Sequence, residues 1–266
     1  MASRLPLSKK NKRFILFKEK KQRQEFKVKV SLYVPCIINH LMPESAYSII
    51  NIFKKCGIDF SVEEKQLCCG QPGYNMGFCE HSKPFARKFI DLYKSVDCDY
   101  IVVPSGSCAA MIKHNYPKLF PDEDLKWLEG RVVEFNRFIY ENKLYLKLDL
   151  KYKGAIFYHK SCHLLNEMQI DREPKEMLGS IKGLRLFESE SHQNTCCGFG
   201  GAFSAAFDNI SIDIGISKLE FVIDNKINNI VAGDAGCIMH LKGVAAARGY
   251  KLNFYYIADF LDLCSN

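Results

Sequence analysis

The sequence predicts an α/β fold made of two tandem homologous units, each a small, mostly parallel sheet with flanking helices. The first observation behind this is repetition. KVSLYVPCIINH at 29–40 parallels AIFYHKSCHLLN at 155–166, EKQLCCGQPGYNMG parallels HQNTCCGFGGAFS, and DYIVVPSGSCAAMIKH at 99–114 parallels NNIVAGDAGCIMHLKG at 228–243. The matched cysteines stand 126, 128, 128 and 129 residues apart, in the same order; a near-constant offset over three blocks is the signature of a duplicated unit. The second observation is the alternation of strand-like and helix-like segments, which argues for α/β layering. The third is position: the repeated cysteines fall at strand ends and in the loops after them, where open α/β sheets build their sites.

The elements follow in order. VKVSLYV is rich in β-branched residues and reads as a strand. PESAYSIINIFKKC has apolar residues at helical spacing, with Pro43 at its start and Gly57 as its C-cap. SKPFARKFIDLYKSV is a second helix, and YIVVP is a continuous apolar run suited to a buried parallel strand. The second unit repeats the scheme: a strand in AIFYHK, a polar loop ESESHQN, one helix within FSAAFDNISIDIGISKLEFVID, and the buried strand NIVAG. The join falls near YLKLDLKYKG, so the expected division is a basic tail at 1–28, a first unit at 29–150 and a second at 151–266.

Composition bounds the function. Apolar residues make up 47% of the chain and charged residues 25%, as in ordinary globular proteins. No apolar run reaches the ~20 residues needed to span a bilayer, and FILF is too short for a signal-peptide core. A cytoplasmic location is expected, with membrane association peripheral at most. Residues 1–30 hold eleven Lys and Arg against two Glu, a charge of +9; with the whole chain at +7, the rest carries −2. The basic character therefore belongs to a tail, which reads as a solvated arm that adds little to the core, with docking to an anionic surface, a partner or phospholipid headgroups as the alternative; nothing resembles a nucleic-acid reading motif.

Twelve cysteines in a chain without an export signal read as metal or redox chemistry rather than disulfides. Eight are repeated: Cys36, Cys68, Cys69 and Cys108 in the first unit, and Cys162, Cys196, Cys197 and Cys237 in the second. Four thiolates suit zinc or an iron–sulfur cluster. Zinc knuckles usually take CxxC pairs, which neither unit has; two thiolates diverging from one CC loop suit a multi-iron cluster. Gly70 and Gly198, next to the pairs, permit positive φ and close backbone approach. The expectation is two separate groups of four. Cys56, Cys79, Cys98 and Cys264 have no counterparts and read as small buried hydrophobes. His159 and His163 flank Cys162 and read as packing residues or hydrogen-bond donors rather than ligands. No GxGxxG fingerprint follows a strand.

The motifs LCCGQP, PSGSC, TCCGFGG and DAGC, in two copies of C…CCG…C, resemble the cysteine-rich CCG domain proteins. These include the heterodisulfide reductase B subunit and the iron–sulfur subunits of glycolate and anaerobic glycerol-3-phosphate dehydrogenases. The closest likeness is to the lactate utilization protein A family, from about Lys29 to the C-terminus. The resemblance implies an iron–sulfur electron-transfer subunit of an L-lactate-oxidising system, working with other lactate-oxidation subunits and without nucleic acid. It implies one or two iron–sulfur clusters held by the eight repeated cysteines, with zinc as the alternative in one unit. In the heterodisulfide reductase relatives each unit closes with CxxC and supplies five cysteines to a non-cubane cluster. Here the first of those positions is Ser105 and Asp234, which favours an ordinary 4Fe–4S cubane and leaves these two residues as neighbours of the ligands. A heterodisulfide reductase-like thiol/disulfide activity and a zinc-stapled scaffold are the competing readings.

Overall fold

The computed structural model describes residues 28–265. The basic tail expected at 1–28 lies outside the described residues, apart from residue 28. Two four-stranded sheets form, and every pairing in both is parallel. The first has the order β2-β1-β3-β4, from β1 (Lys29–Leu32), β2 (Asp59–Ser61), β3 (Tyr100–Val103) and β4 (Val132–Glu134). The second repeats it as β6-β5-β7-β8, from β5 (Lys151–His159), β6 (Lys182–Phe187), β7 (Asn229–Ala232) and β8 (Asn253–Tyr256). Strand order reverses between β1 and β3, and between β5 and β7. Loops leaving those strands diverge there and open a crevice at the carboxyl ends.

The helices form where spacing and caps predict, with two differences. The helix Pro43–Cys56 carries Pro43 at its first position and ends on Gly57 in the left-handed region, φ 70°. Its buried stripe is Ile49, Ile52, Phe53 and Cys56. The second helix of the first unit begins earlier than expected and runs Cys79–Ser95. The helix expected within 203–224 forms as Asp208–Asp224, and a further short helix, Ala202–Ala206, precedes it, separated by Phe207 at a non-helical φ of −134° and ψ of 57°.

The units interlock. The C-terminal helix Ile257–Cys264 leaves the second sheet and packs on Pro43–Cys56 of the first unit. Ser45 Oγ donates to Asp259 there at 2.8 Å, and Asn51 and Lys55 both donate to Asp262. Ile257, Phe260 and Leu261 are buried in this seam, each contributing ~1.5–3 kcal/mol of hydrophobic stabilisation. Nearer the crevice, Leu164 of the second unit joins the core under the first, and Met42 packs against the core of the second. Of the four unrepeated cysteines, Cys56 and Cys264 are buried as expected. Cys79 and Cys98 are only half-buried, at the edge of the first unit's core; Cys98 Sγ accepts from Arg131 Nη2 at 3.0 Å. Among the described residues no helix is long and apolar enough to cross a membrane.

Candidate metal centre

Each unit presents its cysteines from three places. Cys36 begins the short helix after β1, and Cys162 lies just past β5. The pairs Cys68–Cys69 and Cys196–Cys197 come from the CC loops. Cys108 and Cys237 sit in the first turns of the helices that follow β3 and β7. The CC loops are shaped alike. Gly70 has φ +81° and Gly198 φ +97°, left-handed conformations that a side chain disfavours. Ser82 Oγ donates to the Gly70 carbonyl at 3.0 Å, and Ser211 Oγ donates to the Gly198 carbonyl at 2.8 Å. The turn points backbone donors at sulfur: Gly70 N–H to Cys68 Sγ at 3.4 Å, Gly198 N–H to Cys196 Sγ at 3.3 Å, and Phe199 N–H to Cys197 Sγ at 3.5 Å.

The sulfurs of each unit converge. Cys36 and Cys68 lie 3.7 Å apart, and Cys69 and Cys108 3.3 Å apart. In the second unit Cys196 pairs with Cys162 and with Cys197, and Cys197 with Cys237. The sulfur contacts fall within each unit, in the two groups of four expected, and both groups line one cavity of about 110 Å³ between the units. The interlocking explains this, because the cores that carry the loops extend into one another. Gln71 Nε2 and His163 Nε2 meet across the boundary at 3.0 Å.

Ser105 and Asp234 also line this cavity. Both are N-caps: Ser105 Oγ accepts from Cys108 N–H at 3.4 Å, and Asp234 Oδ1 accepts from Gly236 N–H at 3.0 Å. They also meet each other, Ser105 Oγ donating to Asp234 Oδ2 at 3.1 Å. The positions that depart from CxxC thus tie the two cysteine-bearing helices together at the cavity wall.

Sulfur–sulfur contacts dominate the electrostatics, in the same way in both units. Hydrogen bonds from Cys36 and Cys69 hold the Cys68 thiol down at about 3. Those from Cys162 and Cys197 hold Cys196 far below the usual thiol range. The donors Cys36 and Cys162 move up, through those bonds and then through burial. Cys69 is raised by its bonds to Cys108 and Cys68, and Cys197 by its bonds to Cys196 and Cys237, with burial adding to both. Each quartet is therefore a mutually hydrogen-bonded nest around one thiolate, a donor set that a cation would take over by displacing protons.

Sequence reasoning missed what stands behind the second nest. His159 is 1% exposed, and neither ring nitrogen has a hydrogen-bond partner among the described residues. Burial, then the nearby Lys218 charge, pushes its pKa well down, so the ring is neutral. A donor or acceptor left unpaired in a protein interior costs ~1–3 kcal/mol. Lys218 is buried too; its Nζ donates to Thr195 Oγ1 at 2.9 Å and to the His192 carbonyl, and burial lowers its pKa to about 8. Extending the cysteine offsets to their neighbours would have exposed both residues, since Tyr33 and Phe89 occupy the matching places in the first unit.

The profile of the cysteine-rich domain family, CCG, matches residues 30–113 and 156–242. Lactate utilization protein A of Bacillus cytotoxicus is 32% identical over 241 residues, covering 88% of this chain and 99% of that one. Lactate utilization protein A 2 of Bacillus cereus is 34% identical over 242 residues, covering 88% and 98%. This chain belongs to the lactate utilization protein A family. The family's two domain copies contain one cysteine quartet each, together with Ser105 and Asp234, whereas Cys264 lies beyond the second copy. Among solved structures, glutamate racemase isoform RacE1 from Bacillus anthracis matches at 11% identity with a TM-score of 0.35, over 91% of this chain and 80% of that chain. A score that low carries no inference.

Proposed function

We propose that the chain is an iron–sulfur electron-transfer subunit of a system that oxidises L-lactate to pyruvate. The convergence of eight thiols on one cavity carries this reading, and the names of the family members supply the substrate. The donor set fits iron–sulfur ligation: thiolate sulfur only within each quartet, backbone N–H groups aimed at sulfur, and a glycine beside each pair that lets the loop close. Cys36, Cys68, Cys69 and Cys108 would hold one 4Fe–4S cluster, and Cys162, Cys196, Cys197 and Cys237 a second. A bound cluster supplies one-electron redox chemistry.

The chain's own contribution is environment. Cys69, Cys108, Cys197 and Cys237 are buried, so their sulfurs are kept from water. The Ser105–Asp234 bond fixes the spacing of the helices that present Cys108 and Cys237. Lactate oxidation releases two electrons and two protons. In this reading, partner subunits of the same cytoplasmic system carry out that oxidation, and this chain relays the electrons singly.

The test is anaerobic purification of the full chain, followed by iron and acid-labile sulfide analysis and visible spectroscopy. The expected result is ~4 to 8 iron and as many sulfides per chain, with visible absorption bleached when lactate and the partner subunits are added. Zinc without sulfide would overturn the iron–sulfur reading and support a zinc scaffold. Clusters indifferent to lactate, but reduced or oxidised by a disulfide substrate, would move the function to thiol/disulfide chemistry.

A further inference from the structure

We propose that His159 supplies a nitrogen ligand to the metal centre of the second unit, beside Cys197 and Cys237, making that centre a mixed imidazole–thiolate site while the first is all-thiolate. The inference rests on the reading that the thiol quartets hold metal, and goes beyond it in the donor set.

Three observations carry it. The ligating atoms of His159, Cys197 and Cys237 all lie within 4.8 Å of one another, and all three residues are buried. Both His159 nitrogens lack a hydrogen-bond partner among the described residues. A neutral imidazole in an interior normally donates from one nitrogen and accepts at the other; a metal ion between this ring and the two thiols would take up the lone pair of one nitrogen, which nothing else among the described residues engages. The third observation is the contrast with the first unit. Tyr33 occupies the matching place, is fully buried, and is satisfied through its hydroxyl, which donates to the Leu67 carbonyl at 2.7 Å. The scaffold therefore does not demand a histidine here.

His163, the other histidine near the quartet, differs. Its Nδ1 lies 3.6 Å from Cys162 Sγ, but its Nε2 is engaged by Gln71. His159 would join the second quartet on its buried side, next to Cys197 and Cys237, with Cys162 and Cys196, its less buried sulfurs, on the open side. Nitrogen and sulfur together suit zinc, or an iron whose potential is raised relative to all-thiolate ligation.

The experiment uses the full chain, stripped of metal and loaded with Co2+ alone, with proton NMR in water. A cobalt-bound imidazole gives a strongly shifted N–H resonance that vanishes in D2O. The expected result is one such resonance in the wild type, split by one-bond coupling when histidine is 15N-labelled. It should be lost in His159→Ala and His159→Gln and kept in His163→Ala. The labelled wild type decides the matter even if the alanine variant does not fold. Cobalt bound with no shifted imidazole resonance, or a resonance lost only in His163→Ala, overturns the proposal. If the same preparation contained iron and sulfide before stripping, the iron–sulfur reading survives that failure. A chain that binds neither cobalt nor iron contradicts both.

Discussion

The two units share a backbone and a set of thiols, but the walls behind the thiols differ. In the first unit Tyr33, Phe89 and Met111 are buried behind the quartet, with Tyr33 and Phe89 packed edge to face at 5.4 Å. At offsets of 126, 129 and 129 residues the second unit has His159, Lys218 and His240. One wall is apolar and aromatic; the other can be charged. What stays constant is what the loop geometry needs: the serine that holds the glycine carbonyl, the positive-φ glycine and the parallel strand ends. What varies are side chains that set the electrical environment. Duplication has kept the cradle and changed its chemistry, and the two centres are therefore expected to differ in donor set and potential.

The constant part is tested most severely at the glycines. A Cβ on Gly198 would lie 2.2 Å from the Ser211 carbonyl oxygen, at φ +97°; one on Gly70 would lie 3.2 Å from the Ser82 carbonyl oxygen, at φ +81°. Left-handed strain costs an alanine ~1–2 kcal/mol, and forced overpacking adds ~1–3 kcal/mol. Gly198→Ala is therefore expected to lower stability by ~2–5 kcal/mol and Gly70→Ala, with less overpacking, by ~1–3 kcal/mol, read from urea midpoints at constant slope. Equal costs would contradict the tighter packing at Gly198.

The variable part is sharpened by pH. In the first unit Glu134 is fully buried at the end of β4, where it caps the helix Phe135–Glu141, and burial raises its pKa to about 8. The register places Tyr256 at the same point of the second sheet. A carboxyl raised in the folded state gives stability that is full below its unfolded pKa of 4.5 and is lost as pH rises through 8. In the second unit Lys218 behaves oppositely. Its pKa is depressed from 10.5 to about 8, so its contribution is full above 10.5 and is lost as pH falls through 8. Each loss is on the order of a few kcal/mol. Glu134→Gln should flatten the metal-free chain's stability profile on the acid side of pH 8, and Lys218→Met on the alkaline side. A profile that either variant leaves unchanged would break the contrast.

The smallest effect concerns the serines. Ser82→Ala and Ser211→Ala each remove a hydrogen bond to the CC-loop glycine, worth ~1 kcal/mol. Each serine has one further contact, Ser82 Oγ with the Phe78 carbonyl at 3.3 Å and Ser211 Oγ with His240 Nε2 at 3.4 Å, so the two losses should be about equal. Thermal unfolding of the two single variants and the double variant measures this, with near-additive costs expected because the two bonds belong to separate loops.

Much of this was legible in the sequence. The central strands β1, β3, β5 and β7 announce themselves by their apolar runs, and the helix Pro43–Cys56 by its spacing and caps. The edge strands are harder to read. Asp59–Ser61 is three residues with no buried member, and Lys182–Phe187 is largely solvated, so neither shows the alternation that marks a strand. The eight cysteines were legible because they repeat. Their single shared cavity was not, because it depends on Leu164 and Met42 each crossing into the other unit's core, a tertiary fact with no local signal. From the sequence His159 reads as a packing residue or a hydrogen-bond donor, because YHKSCH carries no ligand spacing of its own. Its significance lies in two unpaired nitrogens that only the fold reveals.

The central claim is that each thiol quartet is one iron–sulfur site. It is tested most directly by iron and acid-labile sulfide per chain in anaerobically purified full-length protein, comparing the wild type with Cys69→Ser and Cys197→Ser. The account predicts that iron and sulfide fall together, by about half in each single variant and nearly to zero in the double variant. Unchanged iron in both single variants, or iron bound without sulfide, would contradict it.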